Sequence, residues 1–326
     1  MHIQDGFLDV PTCIGTAAMS AAAVAWSMRR VKQEFAERTA PLMGVVAACV
    51  FAAQMLNFPI PGATSGHLLG GVLAAVMLGP WSGVLVLTVV LLVQAVLFGD
   101  GGITALGANI FNVGVMGSLV GYAVFAPLRR WIGGTAGTVA GSVVAAWFSV
   151  VLGAAACSVQ LSFSQSLPLW PVLGAMLLFH TMIGLGESLI TGVAVSLVLQ
   201  TRPDLVYGHS REAGTVARTG QIVVAGLAVA FAMAVLLSPF ASGNLDGLER
   251  ALEDLKAEQG ESGIAVKALQ RLVPMTDYAM PGFDNIVLAG SVAGALGTLA
   301  VFAVAFVFAR SLRANPPPLA HPSHAS

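Results

Sequence analysis

The first two residues, Met1 and His2, are of types that can bind one metal ion together. The Met1 amine, the His2 amide nitrogen and the His2 imidazole could close two fused chelate rings on that ion. These three nitrogens would lie nearly in one plane. One more imidazole would complete a planar four-nitrogen site, which suits Ni(II) or Cu(II) best. The alternative is that His2 is a solvated terminal residue, because chain termini are usually poorly ordered.

A second histidine, His67, follows a loop with the sequence FPIPGATSG at residues 58–66. Two prolines and two glycines forbid a simple helix there. Non-helical backbone at membrane depth is tolerated only where protein buries it or where it lines a cavity. Taken alone, His67 would be an ordinary interfacial histidine. Together with His2 on the same membrane face, it becomes the candidate for the fourth nitrogen.

The composition sets these residues in a membrane protein. Charged residues make up 10% and apolar residues 56% of the 326 residues, and the mean hydropathy is +0.84. Apolar runs of membrane-spanning length recur from end to end, which predicts a polytopic helical protein in a lipid bilayer. The net charge of -1 shows no basic footprint, so no nucleic-acid partner is expected. Cys13, Cys49 and Cys157 lie far apart in apolar segments, which is typical of core residues and not of a disulfide framework or metal cluster.

We expect an all-α bundle of about nine transmembrane helices. The segment 66–79 is short for a full crossing, so it could be tilted or partly interfacial. The predicted spans are 11–28, 41–57, 66–79, 82–98, 104–126, 135–157, 170–200, 221–238 and 286–309. Residues 1–7 contain no Lys or Arg and make a poor signal peptide, so we expect this segment to remain in the protein.

The basic residues predict the orientation. With the N-terminus outside, the inside segments hold 11 of the 15 Lys and Arg residues, and every short outside loop has none. The other four lie in one long loop, and long loops translocate largely regardless of charge. They are Arg250, Lys256, Lys267 and Arg271. The expected location is therefore the plasma (inner) membrane, with the N-terminus extracytoplasmic and the C-terminus cytoplasmic.

The motif Met1-His2-Ile3, followed by Asp5-Gly6-Phe7 and later by Gly66-His67, resembles the CbiM/NikM family. Proteins of that family are the substrate-capturing membrane components of energy-coupling factor (ECF) transporters for cobalt and nickel. The resemblance spans roughly residues 1–200. It continues through GANIFN at 107–112, His180, GLGE at 184–187 and IT at 190–191.

This resemblance implies a ligand set. It consists of the Met1 amine, the amide and imidazole nitrogens of His2, and His67. Ni2+ or Co2+ would be the transported substrate, and nickel is favoured because a planar four-nitrogen site suits it. The resemblance also implies partners, since the chain has no Walker motif or other nucleotide signature. A CbiQ/NikQ-like coupling membrane protein and CbiO/NikO-like ABC ATPase subunits would supply ATP hydrolysis, and the chain itself would not be an enzyme.

Metal-bound imidazoles usually donate their other N–H to a neighbouring acceptor. Candidates for this role, or for other support of the ligands, are Asp5, Ser65, Asn109 and Asn112. For each of them, a helix cap or a polar residue in helix packing is at least as good an interpretation.

His180 and Glu187 lie seven residues, or about two helical turns, apart in one apolar run, so both fall on one helix face. Ionisable residues within a span usually point into the bundle. They are further candidates for support of the metal ligands. They could also form an ion relay, although helix–helix hydrogen bonds are the more frequent role.

The last third of the chain predicts a second module. The sequence NLDGLER at 244–250 resembles the Pro-Asp-Gly-Leu-Glu motif of the CbiN/NikN accessory component, with Leu245 in place of proline. Thr276-Asp277-Tyr278 adds to the likeness. We therefore divide the chain into a metal-binding membrane domain at 1–200, a cytoplasmic linker at 201–220, and a two-span module at 221–309. That module would contain an outside loop at 239–285, and a disordered cytoplasmic tail at 310–326 would carry His321 and His324.

Three alternatives remain open at this point. The same mechanism could serve cobalt uptake for cobalamin biosynthesis. The chain could be a stand-alone secondary metal transporter in which His180 and Glu187 couple ion flow. A membrane enzyme or metal sensor is disfavoured, because the sequence has neither a visible nucleophile–base pair nor a large cytoplasmic output domain.

Overall fold

A computed structural model describes residues 1–165, 167–209, 219–257, 259–260 and 263–313. Within those residues the protein is a helical bundle with one two-stranded hairpin, which confirms the all-α prediction. The helices are α1 (Val10–Gln33), α2 (Thr39–Gln54), α3 (Gly71–Leu78), α4 (Pro80–Phe98), α5 (Leu106–Ile132), α6 (Gly134–Gln165), α7 (Leu169–Thr201), α8 (Thr219–Phe240), α9 (Gly247–Asp254), α10 (Ile264–Gln270) and α11 (Ile286–Ser311), and the strands are β1 (Phe58–Ile60) and β2 (Thr64–Gly66). Residues 210–218 of the predicted linker and the tail beyond residue 313, with His321 and His324, lie outside the described residues.

Seven helices in the described part of the chain are long and apolar enough to cross a membrane: α1, α4, α5, α6, α7, α8 and α11. The other two predicted spans are also helical, but shorter. One is α2, with 16 residues, and the other is α3, with only 8. Eight residues rise about 12 Å, well short of a hydrocarbon core of about 30 Å.

The short α3 has a local cause. Gly70, with φ of 78°, precedes the helix, and Gly79, with φ of 87°, ends it. Both backbone conformations suit glycine and interrupt regular helix. The residues before Gly70 consequently form non-helical backbone, and His67 lies in that stretch.

The two C-terminal spans pack against the earlier helices. Helices α8 and α11 both lie along α2, and α11 also contacts α4. At this junction the rings of Phe51 and Phe98 pack with centroids 5.3 Å apart, and both side chains are fully buried. This packing brings the end of α4 next to the C-terminal third of the chain.

The described connections segregate to two ends of the bundle. One end carries basic residues: Arg38 contacts Asp204 at 3.4 Å, and Arg129 donates to the Tyr207 carbonyl at 3.0 Å. The opposite end carries the N-terminus, the β1–β2 hairpin, the connection after α4, and the segment between α8 and α11. The N-terminus and the predicted outside loop therefore meet at one end, whereas the sidedness of the membrane stays a prediction.

Candidate metal centre

The hairpin that precedes His67 is extended by the C-terminal third of the chain. Strands β1 and β2 pair antiparallel, with Pro59 opposite Ser65. Ser65 then bridges to Asp246 in parallel register, and its N–H donates to the Leu245 carbonyl at 2.8 Å. The Ser65 hydroxyl donates to the Asn244 carbonyl, also at 2.8 Å. Ser65 thus anchors the segment 244–246 beside the strand that leads to His67.

The backbone just after His67 is held by side chains from α7 and α2. The carboxylate of Glu187 accepts the N–H groups of Leu69 at 2.6 Å and Gly70 at 2.9 Å. The Gln54 side chain donates to the Leu69 carbonyl at 2.8 Å. Both polar groups of residue 69 are therefore satisfied by buried side chains, which holds the His67 loop in one position.

His67 presents one nitrogen to the N-terminus. Its Nδ1 lies 2.9 Å from the Leu68 carbonyl, so Nδ1 carries the proton and Nε2 has a lone pair. Burial, followed by the charge of the Met1 amine, lowers the pKa of His67 to about 3. The imidazole is accordingly neutral at physiological pH, which is the form that binds metals.

The first two residues meet His67 directly. The Met1 amine nitrogen is 3.3 Å from His67 Nε2. The rings of His2 and His67 stack with centroids 5.1 Å apart and an interplanar angle of 8°. All three residues are buried, with exposed fractions of 3% for Met1 and 6% for each histidine. The N-terminus is therefore part of the core at this end of the bundle.

Asn109, near the start of α5, holds the N-terminal segment in place. Its side-chain oxygen accepts the Ile3 N–H at 2.8 Å, and its side-chain nitrogen donates to the Ile3 carbonyl at 3.0 Å. Gly102 donates a further hydrogen bond to the Ile3 carbonyl at 2.8 Å. These contacts fix the backbone one residue after His2.

Asp5 anchors the same segment from the other side. Its carboxylate accepts the Thr104 N–H at 2.8 Å and hydroxyl at 2.5 Å, and the Gln270 amide at 2.9 Å. Its carbonyl accepts from Gln259 at 2.7 Å. Asp5 therefore ties residues 1–7 both to the connection after α4 and to the segment between α9 and α11.

Asn112, His180 and Glu187 do not contact the proposed ligands through any hydrogen bond that the described residues make. Asn112 exchanges two 2.8 Å hydrogen bonds with Gln160 and so joins α5 to α6. His180 Nδ1 lies 2.8 Å from the Met176 carbonyl one turn earlier, and its buried Nε2 has no partner in the described chain. Glu187 binds the loop backbone after His67, so its hydrogen bonds join a helix to a loop and not two helices.

Two carboxylates complete the centre, and sequence reasoning did not select either of them. Asp246 Oδ2 accepts from the Met1 amine at 2.7 Å. Asp100 Oδ1 lies 3.1 Å from His2 Nδ1, and Asp100 Oδ2 accepts from the Tyr278 hydroxyl at 2.5 Å. A signal was available for Asp246, which lies inside the NLDGLER motif, and for Tyr278, which follows Thr276-Asp277. Asp100 lies in a glycine-rich connection that resembles an ordinary turn.

The charges at the centre support one another. Burial would raise the pKa values of both carboxyl groups, but neighbouring positive charges and hydrogen bonds outweigh burial. The Met1 amine lowers the pKa of Asp246, and His2, together with the Tyr278 hydroxyl, lowers the pKa of Asp100. Both pKa values therefore lie well below their usual range. Both groups are therefore ionised, and the centre holds two negative charges beside the nitrogens.

Side chains alone do not make a metal site in the described residues. No group of three or more His, Cys, Asp or Glu side chains in them is arranged to hold an ion. The Met1 amine and His67 Nε2 lie 3.3 Å apart, with the His2 ring stacked on the His67 ring. A four-nitrogen site at this place would therefore need main-chain nitrogens as well as imidazoles.

Comparison with known proteins gives the family. The CbiM family, whose model is described as the cobalt uptake substrate-specific transmembrane region, matches residues 2–205. The chain belongs to the CbiM family. A second model, the PDGLE domain, matches residues 220–314. The resemblance inferred from the Met1-His2 and NLDGLER motifs is thereby confirmed.

Some relatives of this CbiM protein match almost its whole length, and others match only part of it. A fused nickel transport protein NikMN from Rhodobacter capsulatus is 34% identical, over 96% of this chain and 98% of that protein. A relative from Archaeoglobus fulgidus is 36% identical, over 96% of this chain and 99% of that protein. The cobalt transport protein CbiM from Sorangium cellulosum is 34% identical over 63% of this chain and 94% of its own length. The crystal structure of a truncated transition metal transporter matches with a TM-score of 0.57 and 32% identity, over 61% of this chain and 99% of that one.

This CbiM chain is therefore a multi-span membrane protein and a nickel/cobalt transport component of the fused type. The names of these relatives divide between nickel and cobalt.

Replacing Asn109 tests how firmly the N-terminus must be held. Asn109→Ala should lower nickel affinity about tenfold, within the range seen for outer-shell partners of metal sites. Two buried hydrogen bonds to Ile3 are lost, and although the Ile3 carbonyl keeps the bond from Gly102, the Ile3 N–H loses its Asn109 acceptor, which should lower the free energy of unfolding by about 1–3 kcal/mol. Isothermal titration of the purified chain and its thermal unfolding would measure both effects.

Asn112→Ala is the matched control. It removes the same side chain from the same helix, but it breaks the pair with Gln160 and leaves Ile3 untouched. It should destabilise the protein to a similar extent while nickel affinity stays at the wild-type value. An equal loss of affinity in both variants would assign the Asn109 effect to general destabilisation.

Proposed function

We propose that this chain captures Ni2+ from the outside of the cell through the Met1 amine, the amide and imidazole of His2, and the imidazole of His67. It would act as the substrate-specific component of an ECF-type importer. The observation that carries this proposal is the buried contact between Met1, His2 and His67. Met1 and His67, which are 66 positions apart in sequence, meet there with the amine nitrogen 3.3 Å from Nε2, and the His2 ring stacks on the His67 ring.

The distance between the Met1 amine and His67 Nε2 is compatible with the proposed square-planar geometry. With metal–nitrogen bonds of about 2.0 Å, adjacent corners of a square lie about 2.8 Å apart and opposite corners about 4 Å apart. In the fused chelate, the Met1 amine and His67 Nε2 occupy adjacent corners. Their separation of 3.3 Å is close to the first value, so a small movement would seat an ion between them.

Loading would exchange internal hydrogen bonds for metal bonds. A chelate ring that includes the His2 amide can close only through Nδ1 of the same residue, because Nε2 lies on the far side of the ring. Nδ1 now faces Asp100, and the Met1 amine faces Asp246. The ion would replace the protons on the ligand nitrogens that face these carboxylates, and both carboxylates would remain beside it as counter-charges. A cavity of about 440 Å³, lined by His2, His67, Asp100 and Asp246, offers a route of access.

The preference for nickel follows from the ligands. Binding through an amide nitrogen requires the loss of its proton, which Ni(II) and Cu(II) promote better than Zn(II). A planar four-nitrogen site also suits Ni(II). Cobalt uptake for cobalamin biosynthesis by the same mechanism is the second candidate, and it is supported by the cobalt transport proteins among the relatives.

The organisation of the transporter is part of the proposal. Residues 1–200 would form the metal-binding domain, and 221–309 the accessory module, with the N-terminus extracytoplasmic and the C-terminus cytoplasmic. A CbiQ/NikQ-like coupling protein and CbiO/NikO-like ATPases would drive transport. The basic end of the bundle, with Arg38 and Arg129, supports this orientation under the positive-inside rule. A reporter fused after Arg313 should then face the cytoplasm, and a periplasmic signal would contradict the orientation.

Metal analysis tests the proposed substrate. The C-terminally tagged chain, purified from cells grown with equal nickel and cobalt, should contain nickel equimolar with protein and little cobalt. Cobalt in excess over nickel would favour the second candidate. Absence of both ions, from protein that is folded and that binds neither on titration, would reject the site.

Nickel affinity should rise with pH and continue to rise above pH 8, because the ion must displace the proton of the Met1 amine. Burial lowers the pKa of this amine, but the charge and hydrogen bond of Asp246 outweigh burial and raise it above the ordinary 8.0. Asp246→Asn should therefore lower the amine pKa and move the affinity–pH curve to lower pH. Titrations between pH 6 and pH 10 (about the range in which an amine loses its proton) would measure this. An unmoved curve would show that Asp246 does not control the proton.

A further inference from the structure

Both carboxylates at the proposed metal site are held by the C-terminal third of the chain. Asp246 directs Oδ2 to the Met1 amine, while its Oδ1 accepts the N–H groups of Leu248 and Glu249 at 2.8 Å each and caps α9. Asp100 directs Oδ1 to His2, while its Oδ2 accepts the Tyr278 hydroxyl. In each carboxylate, one oxygen faces a ligand nitrogen and the other is committed to a donor from residues 246–278.

The Tyr278 hydroxyl has a fixed direction. The Gln94 side-chain nitrogen donates to the phenol oxygen at 3.1 Å, so the phenol proton is directed to Asp100. The ring stacks on Phe98 with centroids 4.7 Å apart and an interplanar angle of 17°. Phe98 ends α4, two residues before Asp100. Ring packing therefore sets the hydroxyl at the carboxylate that follows the helix.

The backbone at this point has an unusual conformation. Asp277 and Tyr278 have φ values of 54° and 56°, which L-residues with side chains rarely adopt. Such conformations persist where the surrounding structure imposes them, often at functional sites. Here the Met275 N–H donates to the Leu97 carbonyl at 3.1 Å, which ties the segment to the end of α4. The chain thus accepts a disfavoured conformation that brings the Tyr278 hydroxyl to Asp100.

Carboxylate oxygens are strong competitors at a metal site. An oxygen that reached the ion would add a ligand outside the nitrogen plane and favour ions that accept mixed or higher coordination. Asp100 Oδ1 is already within hydrogen-bond distance of a ligand nitrogen, and in the described part of the chain the hydroxyl of Tyr278 holds its Oδ2. We infer that Tyr278 is a specificity-determining residue, which ties Asp100 back and keeps the site a four-nitrogen plane. The inference rests on the proposed function, and it gives the C-terminal module a role in metal selection.

The test is the Tyr278→Phe variant of the full-length, C-terminally tagged protein. The substitution removes one oxygen and keeps the ring that packs on Phe98. Planar Ni(II) is diamagnetic and has a characteristic visible d–d band, which gives a signature of the ligand plane. We expect Tyr278→Phe to weaken this band and to lower the preference for Ni(II) over Co(II) and Zn(II) about tenfold, as measured by competition. Tyr122→Phe, which makes the same change at the other end of the bundle, should leave both readouts unchanged, and thermal unfolding would confirm that each variant is folded.

A double variant separates this role from a structural one. In Tyr278→Phe with Asp100→Asn, the freed side chain is neutral and a poor metal ligand, so the d–d band and the nickel preference should return towards wild type. A merely structural defect at Tyr278 would not be repaired by a second substitution. A Tyr278→Phe spectrum and preference equal to wild type, or a double variant no better than the single one, would overturn the inference. If wild-type protein itself lacks the planar signature, or if His67→Ala retains it, the proposed function fails as well.

Discussion

His67→Ala should abolish tight nickel binding and leave the protein folded. The substitution removes the nitrogen proposed to lie opposite the His2 amide and opens the plane to water. Loss of a ligand should exceed the 10–100-fold effects of outer-shell partners, so we expect a loss of affinity greater than about a hundredfold. The fold should survive because, among the described residues, the His67 ring hydrogen-bonds only to the carbonyl of its neighbour Leu68, besides its contact with Met1.

His2→Ala should have an effect of the same size, because it removes one imidazole and opens one of the two chelate rings. Both variants would be compared with wild type for bound nickel per chain and for uptake of radioactive nickel at equal membrane abundance. Wild-type stoichiometry in either variant would reject the site.

His180→Ala is the matched control for these two variants. Like His67, His180 is a buried histidine with Nδ1 bonded to a nearby backbone carbonyl. Its Nε2 has no hydrogen-bond partner among the described residues, so removal of the ring breaks, among them, one hydrogen bond, the one between Nδ1 and the Met176 carbonyl. It should retain nickel binding. A loss equal to that of His67→Ala would favour the stand-alone transporter, in which His180 takes part in ion flow.

The sequence was informative about the ligands because their chemistry is local. Three of the four proposed nitrogens belong to the adjacent residues Met1 and His2, and a chelate ring needs no tertiary structure to be recognised. The non-helical loop before His67 was equally clear from its prolines and glycines, and the long apolar runs predicted the spans. The bounds of α3 were harder to predict. The apolar run at 66–79 gives no sign that Gly70 adopts a left-handed conformation, after which the helix begins.

The supporting residues could not be ranked from the sequence, because each acts across a long sequence separation. Asn109 and Asn112 lie three residues apart in one helix, and both were equal candidates. Only the three-dimensional arrangement directs Asn109 to Ile3 and Asn112 to Gln160. Asp246 is 245 positions from Met1, and no local pattern indicates that a helix-capping aspartate also holds an amine.

The same reasoning applies to Glu187. Its spacing from His180 suggested a relay or a helix–helix contact, whereas its carboxylate binds two backbone N–H groups of the His67 loop. A bidentate contact of this kind indicates that Glu187 holds the His67 loop in position. That Glu187 does not relay ions remains a prediction, which nickel uptake by Glu187→Gln would address together with the His180 control.

An extension ahead of Met1 should abolish nickel uptake even though every native side chain remains. The extension turns the amine into an amide, which removes the first nitrogen of the chelate and the positive charge that faces Asp246 at 2.7 Å. The added residues would also have to extend out of a buried position, because Met1 is only 3% exposed. Two imidazoles would remain, and they cannot form the planar four-nitrogen site.

The decisive comparison uses one protein in three forms. The N-tagged chain should take up no nickel, and the C-tagged chain should take up nickel normally, because the tail is proposed to lie on the other side of the membrane. An N-terminal tag that a protease removes to leave Met1 as the first residue should restore binding in the purified protein. Restoration assigns the defect to the blocked amine and not to misfolding, since the same molecules are measured before and after cleavage. Equal uptake by N-tagged and C-tagged protein at equal abundance would exclude the amine as a ligand, and the centre would then be an ordinary two-histidine site flanked by Asp100 and Asp246.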